Sequence, residues 1–455
     1  MRPKLFGSSG VRGVVGADVT PDLAAKIGLA VATFSNAKSV VVARDTRVSG
    51  LMLENALTSG LLAAGAKVTS LGTVPTPVLA YLTREMNAEA GVMITASHNP
   101  PQYNGFKIFN NDSMAYDENR QDKVESIIGR KSVDLASWQG VGKVKFSDES
   151  RTYAGMVEKK VKLRKRWNVV VDSGCGATYS LAPLILRNLK CKVTALNAQP
   201  DGHFPSRSSE PNAESLVPLS RVVQELGAEV GLAYDGDGDR VAFIDERGDF
   251  SDFDRVLAAY AGYIAEQRKH SVVVTNVEAS MCVEKMVEAH GGRVVRTKVG
   301  DVYLSEAIKR RGAVFGGEPC GAWIHPQFHF CADGILSSVL LLKALEYRES
   351  KLSEFVAETP EYPTLRENVA CKSESKYDIV EKAGEGLKSI FPLYKDLSRV
   401  DGVRLSLESG WILVRASGTE PLIRLTAEGE SLRAAKEIMD ESIKLIKESI
   451  EGIEE

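Results

Sequence analysis

Three acidic residues separated by single glycines, Asp235, Asp237 and Asp239, follow a strand-like run at 230–233. The glycines let three carboxylates turn toward one hard cation. A solvated acidic turn and a calcium loop of the EF-hand type are the alternatives. Glu246 stands twelfth from Asp235, but Arg240 occupies the sixth position, where a calcium loop requires glycine. We predict a Mg²⁺ site with open coordination positions for a phosphoryl oxygen.

A hydroxyl nucleophile is offered by Ser97 in the segment 95–101, Thr-Ala-Ser-His-Asn-Pro-Pro, which two prolines stiffen. Alone, this segment is equally typical of a simple turn. Its pairing with the acidic cluster, on the equivalent loop of the next α/β unit, favours catalysis because a metal-bound phosphoserine is a sensible species. We therefore predict that Ser97 carries a phosphoryl group.

An anion clamp is predicted near the C-terminus. Two guanidiniums can grip a phosphate bidentately, hydroxyls can donate to it, and a glycine lets backbone N–H groups approach. The residues are Arg415, Ser417, Gly418, Thr419 and Arg424. An ordinary charged β-turn is the alternative. The clamp would hold the non-reacting phosphate of a substrate at a distance from the nucleophile.

Strand-like and helix-like segments alternate in three successive units, and the pattern changes near residue 363. The expected fold is α/β: three consecutive mixed-sheet domains of similar topology, then a small C-terminal α+β domain, with four domains around a central cleft. The expected domains are 1–149, 150–251, 252–362 and 363–455.

The polar segments follow a late strand of each unit, at 97–100, 235–240 and 317–321. Ligands of open α/β sheets bind beyond the carboxyl ends of the strands, so the three loops are expected to share one cleft.

Composition limits the class of partner. Lys and Arg total 57 against 60 Asp and Glu, a net charge of −3 without a basic block, so we expect no nucleic-acid partner. We also expect no membrane span and no secretory signal. The six cysteines are scattered without a C-x-x-C pair, which fits a cytoplasmic protein without zinc or disulfides. A small molecule is the expected partner, and the oligomeric state stays open.

Seven segments, taken in order over essentially the whole chain, resemble the α-D-phosphohexomutase superfamily. They are 6–13 (Phe-Gly-Ser-Ser-Gly-Val-Arg-Gly), 95–101, 104–107 (Asn-Gly-Phe-Lys), 200–205 (Pro-Asp-Gly-His-Phe-Pro), 235–240, 317–318 and 415–421. The resemblance implies an enzyme that interconverts hexose or hexosamine 6-phosphate and 1-phosphate. It implies a phosphoserine, and a sugar 1,6-bisphosphate that is both intermediate and activator.

The resemblance also implies individual roles. Ser97 would be the phosphorylated serine, whose phosphate completes the metal shell of the three aspartates. The other matches are Arg12 and Lys107 around the transferring phosphoryl group, His98 and Asn99 beside the serine, Arg240 beside the sugar, Glu318 as acceptor for sugar hydroxyls, and Arg415, Ser417, Gly418, Thr419 and Arg424 in the phosphate clamp.

The sugar-contact loop departs from the family's common form, Gly-Glu-x-Ser-Gly with a following His. Here it reads Gly-Glu-Pro-Cys-Gly-Ala over 317–322. Cys320 is a weaker donor than serine, and Pro319 lacks a backbone N–H. His325 or His329 would replace the missing histidine, with a structural role as the alternative.

The segment 298–301, Lys-Val-Gly-Asp, resembles the form seen in phosphoglucosamine and related mutases, and it places Lys298 and Asp301 among the expected substrate contacts. This favours glucosamine phosphate over glucose or mannose phosphate, which remain alternatives. From other classes, a metal-dependent sugar phosphatase or a non-catalytic phosphosugar sensor also stays open.

Overall fold

A computed structural model gives the fold and describes residues 5–7, 9–130, 133–417 and 420–454. Ser8, Gly418 and Thr419, which belong to motifs discussed above, lie outside these residues. Contacts divide the chain into two compact units, the first Met1–Val256 with Gly300–Glu358 and the second Leu257–Val299 with Thr359–Glu455. Among the described residues, no helix has the length and apolar character needed to cross a membrane.

The N-terminal region alternates strands and helices. Its elements are β1 (Val11–Val14), α1 (Pro21–Ser35), β2 (Ser39–Arg44), α2 (Gly50–Ala63), β3 (Lys67–Thr73), α3 (Thr76–Glu85), β4 (Ala90–Ile94), β5 (Tyr103–Asn110), α4 (Glu118–Ile128), β6 (Val144–Phe146) and α5 (Ser150–Lys160). The strands form one sheet in the order β1-β5-β4-β2-β3-β6. β5 runs antiparallel to both neighbours, and the remaining pairs are parallel.

Local sequence explains where the first helix begins and ends. The Thr20 hydroxyl accepts a hydrogen bond from the Leu23 N–H at 3.2 Å, and Pro21 occupies the first turn, where its missing N–H costs nothing. Asn36 ends the helix in the left-handed conformation. The buried side of α1 packs against α2 in an apolar core that includes Ile27.

The second region is a smaller sheet. Its elements are β7 (Asn168–Asp172), α6 (Leu181–Asn188), β8 (Lys192–Leu196), α7 (Val217–Glu225), β9 (Val230–Tyr234) and β10 (Val241–Ile244). The strand order is β10-β9-β7-β8, and only the β9–β10 pair is antiparallel. The acidic segment 235–240 is the connection between β9 and β10.

The third region contributes to both units. Its elements are α8 (Phe253–Gln267), β11 (Val272–Asn276), α9 (Cys282–Glu288), β12 (Arg293–Thr297), α10 (Asp301–Arg311), β13 (Phe315–Gly317), β14 (Trp323–Ile324), α11 (Gly334–Arg348) and α12 (Leu352–Ala357). In the second unit β11 and β12 pair in parallel, and in the first unit β13 and β14 pair antiparallel.

The C-terminal region is α+β. Its elements are β15 (Thr364–Ala370), α13 (Lys376–Ile390), β16 (Asp396–Ser398), β17 (Val403–Ser406), β18 (Gly410–Ala416), β19 (Leu422–Gly429) and α14 (Leu432–Glu454). The antiparallel sheet has the order β15-β19-β18-β17-β16. Residues such as Ile412, Val414 and Leu425 cover one face and pack against α13 and α14.

The predicted fold class, mixed α/β regions followed by a small α+β region, is confirmed. From the sequence we expect helices over 177–189 and 214–226. In the structure α6 and α7 are shorter and begin at Leu181 and Val217. α1 and β5 were not predicted. The domain boundaries stay a prediction.

Candidate active site

The predicted nucleophile and the predicted metal cluster lie in direct contact within the first unit. Ser97 follows β4, and its hydroxyl donates a hydrogen bond of 2.7 Å to Oδ2 of Asp235. Ser97 has a φ of +52°, in the left-handed region that non-glycine residues seldom occupy. The surrounding structure must therefore hold this residue in an unfavourable backbone conformation, as is common at functional sites.

The three aspartates converge as predicted. They are buried, and one carboxylate oxygen of each lies within 4.8 Å of the others. Oδ2 of Asp237 accepts hydrogen bonds from the Thr76 hydroxyl at 2.5 Å and from Lys107 Nζ at 2.8 Å. Within the described residues, Oδ1 of Asp237 and Oδ1 of Asp239 are buried without a hydrogen-bond partner. Buried acceptors left in this state are costly, and a bound cation would satisfy both.

The cluster places three acidic groups close together. Burial raises the pKa of Asp235 well above its usual value, and the neighbouring charges of Asp237 and Asp239 raise it further. The nearest cation is Lys107, whose ammonium also donates to Asp239 Oδ2 at 2.5 Å. Burial opposes the charged form of Lys107, but Asp237 and Asp239 hold its pKa above the usual value. Lys107 contacts two of the three carboxylates, and the guanidiniums of Arg12 and Arg240 also act electrostatically on the cluster. The repulsion that raises the pKa of Asp235 remains, so the residues fit a divalent cation.

Two glycines let the acidic segment 235–240 pack closely against the loop of Ser97 and against Thr178. A Cβ at Gly236 would stand 2.5 Å from the Ser97 carbonyl oxygen, so a larger residue would push the nucleophile loop away. Gly238 has a φ of +75°, and a Cβ there would meet the Thr178 side chain at 2.4 Å. The alternation of glycine with aspartate is therefore required both by the turn and by its packing.

Arg12, His98 and Asn99 lie around the same loop. Arg12, on β1, donates to Asn99 Oδ1 at 3.0 Å. Nδ1 of His98 lies 3.4 Å from the Ser97 hydroxyl. Burial and the positive charges of Arg240, Arg12 and Lys107 lower the pKa of His98 to about 2, so the imidazole is neutral.

The predicted sugar-contact residues of the first unit are near the acidic loop. Arg240 forms an isolated backbone bridge with Ala322, which brings the loop of Glu318 and Cys320 beside it. Glu318 is buried, and its Oε1 accepts the Gly300 N–H at 2.8 Å. Burial raises the pKa of the Cys320 thiol to about 12, so this side chain is a neutral donor at physiological pH.

Asp301 begins α10 in the same unit. Burial raises the pKa of Asp301 above its usual value, and the nearby charges of Lys107 and Arg12 oppose that shift. Its Oδ1 has no hydrogen-bond partner among the described residues. This carboxylate is thus an available acceptor on the side of Lys107.

His325 and His329 both have internal partners, which supports the structural alternative. Nε2 of His325 lies 3.0 Å from the Ser337 hydroxyl, and Nε2 of His329 lies 2.9 Å from Asp333 Oδ2. Each ring is about 1% exposed. Glu246, the twelfth residue of the alternative calcium loop, hydrogen-bonds instead to the backbone N–H and hydroxyl of Ser353.

The two predicted clamp arginines of the second unit, Arg415 and Arg424, lie opposite each other on the neighbouring strands β18 and β19. Nη1 of Arg415 lies 3.0 Å from Asp401 Oδ2 and 3.1 Å from Glu278 Oε1. Arg415 and Arg424 line a cavity of about 280 Å³ together with Arg366. Three guanidiniums on one sheet surface make this cavity suitable for an anion.

The other predicted residues of the second unit have mainly structural contacts. The Ser417 hydroxyl accepts the Glu420 N–H at 3.2 Å, and the Ser417 carbonyl accepts from Lys376 Nζ at 2.6 Å. These bonds join Ser417 to Glu420 and to α13. Lys298 follows β12, is half-buried, and its carbonyl accepts the Thr297 hydroxyl at 2.9 Å.

Several residues that the sequence did not single out support the site. Thr76 donates its hydroxyl and its N–H to Asp237, and Arg47 donates to carbonyl oxygens of the nucleophile loop. Glu278 and Asp401 pair with Arg415. For Arg47 and Thr76, the signal available in the sequence was their position after a strand. Arg47 follows β2 and Thr76 follows β3, at the edge of the sheet that also bears Ser97.

Comparison with known proteins agrees with this geometry. Four profiles of the phosphoglucomutase/phosphomannomutase family match in order: alpha/beta/alpha domain I at residues 3–133, domain II at 151–248, domain III at 252–362 and the C-terminal domain at 367–445. A Methanobrevibacter smithii protein described as a probable phosphoglucosamine mutase is 43% identical over 450 residues, covering 98% of this chain and 99% of that protein. The chain belongs to the phosphoglucomutase/phosphomannomutase family. It is therefore a phosphohexomutase, an enzyme of the isomerase class.

Other members of the family are similar over their full length. A Pyrococcus furiosus protein, also described as a probable phosphoglucosamine mutase, is 42% identical, with 98% of each chain covered. A solved phosphoglucomutase/phosphomannomutase family protein from Burkholderia thailandensis has 26% identity and a TM-score of 0.88, covering 99% of this chain and 98% of that one. An Aspergillus fumigatus N-acetylphosphoglucosamine mutase, at 15% identity and a TM-score of 0.63 over 98% and 96% of the two chains, shares the fold.

Proposed function

We propose that this phosphohexomutase is a phosphoglucosamine mutase. It would interconvert glucosamine 6-phosphate and glucosamine 1-phosphate through a phosphoserine at Ser97 and a sugar 1,6-bisphosphate. The observation that carries the proposal is the contact of the Ser97 hydroxyl with Asp235 inside a cluster of three buried carboxylates. Relatives 42–44% identical over nearly the whole chain, described as probable phosphoglucosamine mutases, support the choice of sugar.

Asp235, Asp237 and Asp239 would hold Mg²⁺, a cation that prefers oxygen ligands and keeps open positions for phosphate oxygens. Oδ1 of Asp237 and Oδ1 of Asp239, which have no hydrogen-bond partner in the described part of the chain, support this assignment. When bound, the ion would neutralise negative charge on the transferring phosphoryl group.

The chain's own residues would position and neutralise the reacting groups. A sugar hydroxyl attacks the phosphorus of phosphoserine; the bond to the Ser97 oxygen breaks, the bond to the sugar oxygen forms, and the hydroxyl proton ends on Ser97. The reverse step, on the bisphosphate turned end for end, returns the other phosphate to Ser97. Lys107 and Arg12 supply positive charge beside Ser97, which is the main demand of phosphoryl transfer.

Sugar recognition is proposed for the residues that the sequence assigned to substrate contacts. Glu318 and Asp301 would accept hydrogen bonds from hydroxyl or amino groups, and Cys320 would donate a weak one. Arg240, Asn99, His98 and Lys298 complete the proposed contacts. A carboxylate at Glu318 or Asp301 would favour a cationic amino group on the substrate, which is consistent with glucosamine.

The cavity of Arg415, Arg424 and Arg366 would bind the non-reacting phosphate. Arg415 is held by two carboxylates, so an incoming phosphate competes with Glu278 and Asp401 for the guanidinium. Ser417, Gly418 and Thr419 remain proposed members of the clamp. Because the phosphates at both ends of the bisphosphate are alike, one clamp serves both orientations.

A sugar 1,6-bisphosphate is also the proposed activator, since it can donate the first phosphoryl group to Ser97. A solved Aspergillus fumigatus N-acetylphosphoglucosamine mutase variant is in complex with glucose 1,6-bisphosphate. We propose a cytoplasmic location with no nucleic-acid or membrane partner, supported by the six free cysteines and the near-neutral net charge of −3.

Steady-state kinetics on the 1- and 6-phosphates of glucosamine, glucose and mannose test the sugar. We expect the highest kcat/KM for the glucosamine phosphates. A tenfold preference for glucose or mannose phosphate, about 1.4 kcal/mol in activation free energy, would instead assign phosphoglucomutase or phosphomannomutase activity. Continuous release of inorganic phosphate without isomerisation would indicate a phosphatase.

A further inference from the structure

Arg47 is about 2% exposed and lies just after β2. Its guanidinium has five N–H donors and donates five hydrogen bonds. One goes from Nε to Asp45 Oδ2 at 3.1 Å. The other four go to backbone carbonyl oxygens of the nucleophile loop: Ser97 at 2.8 Å, Asn99 at 2.6 Å, Pro100 at 2.7 Å and Tyr103 at 2.9 Å.

The same loop is held from its N-terminal side by a second path that begins at Asp45. Oδ2 of Asp45 accepts the Thr95 hydroxyl at 2.6 Å, and the Thr95 oxygen accepts the Ser97 N–H at 2.8 Å. Asp45 therefore orients both Arg47 and Thr95. The ring of Phe204 lies over the guanidinium at 5.2 Å, which covers its face.

We infer that Arg47 is the positioning residue that holds Ser97 in its left-handed conformation, with the hydroxyl directed at Asp235. The inference rests on the proposed function, in which Ser97 carries the phosphoryl group. Arg47 does not contact the reacting atoms; it binds the carbonyl oxygen of Ser97 and three carbonyl oxygens that follow it in the chain. A lysine retains the charge but has three donors on one nitrogen, so it cannot reach carbonyls spread over residues 97–103.

The test compares Arg47→Lys with Arg296→Lys. Arg296 is a matched control because its guanidinium also binds one carboxylate and loop carbonyl oxygens, those of Asn276 and Ala279, in the second unit. The readouts are the rate at which Ser97 takes a phosphoryl group from glucose 1,6-bisphosphate, kcat, KM, the Mg²⁺ dissociation constant and Tm.

For Arg47→Lys we expect the phosphorylation rate and kcat to fall about 10- to 100-fold, with KM and Mg²⁺ affinity within about threefold of wild type. For Arg296→Lys we expect kcat within about threefold of wild type, whatever its Tm. In Arg47→Ala, methylguanidinium should restore part of kcat and methylammonium should not.

A wild-type phosphorylation rate in Arg47→Lys would overturn this inference alone. Parallel losses of kcat, Mg²⁺ affinity and Tm, or equal rescue by the two amines, would also overturn it, because they indicate a general structural role. If wild-type protein takes no phosphoryl group on Ser97, the proposed function fails and the inference fails with it.

Discussion

The Ser97 hydroxyl and Asp235 Oδ2 are 2.7 Å apart although 138 residues separate them in the chain. The contact joins the loop after β4 to the loop between β9 and β10. A nucleophile from one sheet and a carboxylate cluster from the next therefore make a single site.

Asp237→Asn should lower kcat about a hundredfold or more and weaken Mg²⁺ binding at least about tenfold, because it removes one of three carboxylate charges. Kinetics and titration calorimetry measure the two effects. Asp245→Asn is the matched control, since Asp245 is also buried, lies at the other end of β10 from the cluster, and accepts the N–H groups of Arg247 and Asp249, which asparagine can also bind. Equal losses in both variants would contradict the metal assignment.

Thr76→Val should lower both kcat and Mg²⁺ affinity, and destabilise the fold by about 1–3 kcal/mol, because Asp237 loses a buried donor. The control is Thr83→Val on the same helix, whose hydroxyl donates to the Leu79 carbonyl at 2.8 Å. It should lose comparable stability in urea unfolding while keeping its Mg²⁺ affinity. Unchanged Mg²⁺ affinity in Thr76→Val would show that this hydroxyl does not support the metal site.

Arg415→Ala should raise KM about tenfold or more with a smaller change in kcat, because the clamp binds a phosphate that does not react. Steady-state kinetics with glucosamine 1-phosphate measures the effect. Arg433→Ala, which removes an exposed guanidinium paired with Glu437 on α14, is the control and should match wild type. A large fall in kcat at constant KM would mean that Arg415 acts on the transferring phosphoryl group instead.

Cys320→Ser should change how stability depends on pH. The pKa of the thiol is raised to about 12, so between its usual value of 9.0 and that value the folded state keeps a proton that the unfolded chain loses. Stability from this group is thus present below pH 9 and declines as the pH rises, by at most about 1.4 kcal/mol per pH unit. Urea unfolding at pH 8 and 10 should show a smaller decline in Cys320→Ser. An identical decline in wild type and Cys320→Ser would contradict the raised pKa of the Cys320 thiol.

The sequence predicted those site residues whose role can be recognised from their immediate neighbours in the chain. Gly-separated carboxylates at 235–239 and a serine between prolines and a strand are recognisable without knowing any distant contact. Arg47 and Thr76 are different, because their partners lie 50 and 161 residues away. An arginine or a threonine after a strand is common, and nothing in the local sequence indicates which carbonyl or carboxylate it will meet.

The fold was predicted where periodicity is clear. The strand β5, which bears Lys107, was missed because seven of its eight residues are buried, so the alternation of polar and apolar residues that marks a half-exposed strand is absent. The helices α6 and α7 were predicted too long at their N-terminal ends. The segments before them are turns, which apolar content alone does not distinguish from helix.

The intact mass of the protein, with peptide mapping, after incubation with glucose 1,6-bisphosphate and Mg²⁺ tests directly whether Ser97 carries the phosphoryl group. We predict the gain of one phosphoryl group on the peptide that contains Ser97 in wild type, and no gain in Ser97→Ala. An unchanged mass in wild type, or a phosphoryl group located on another residue, would contradict the proposed enzyme.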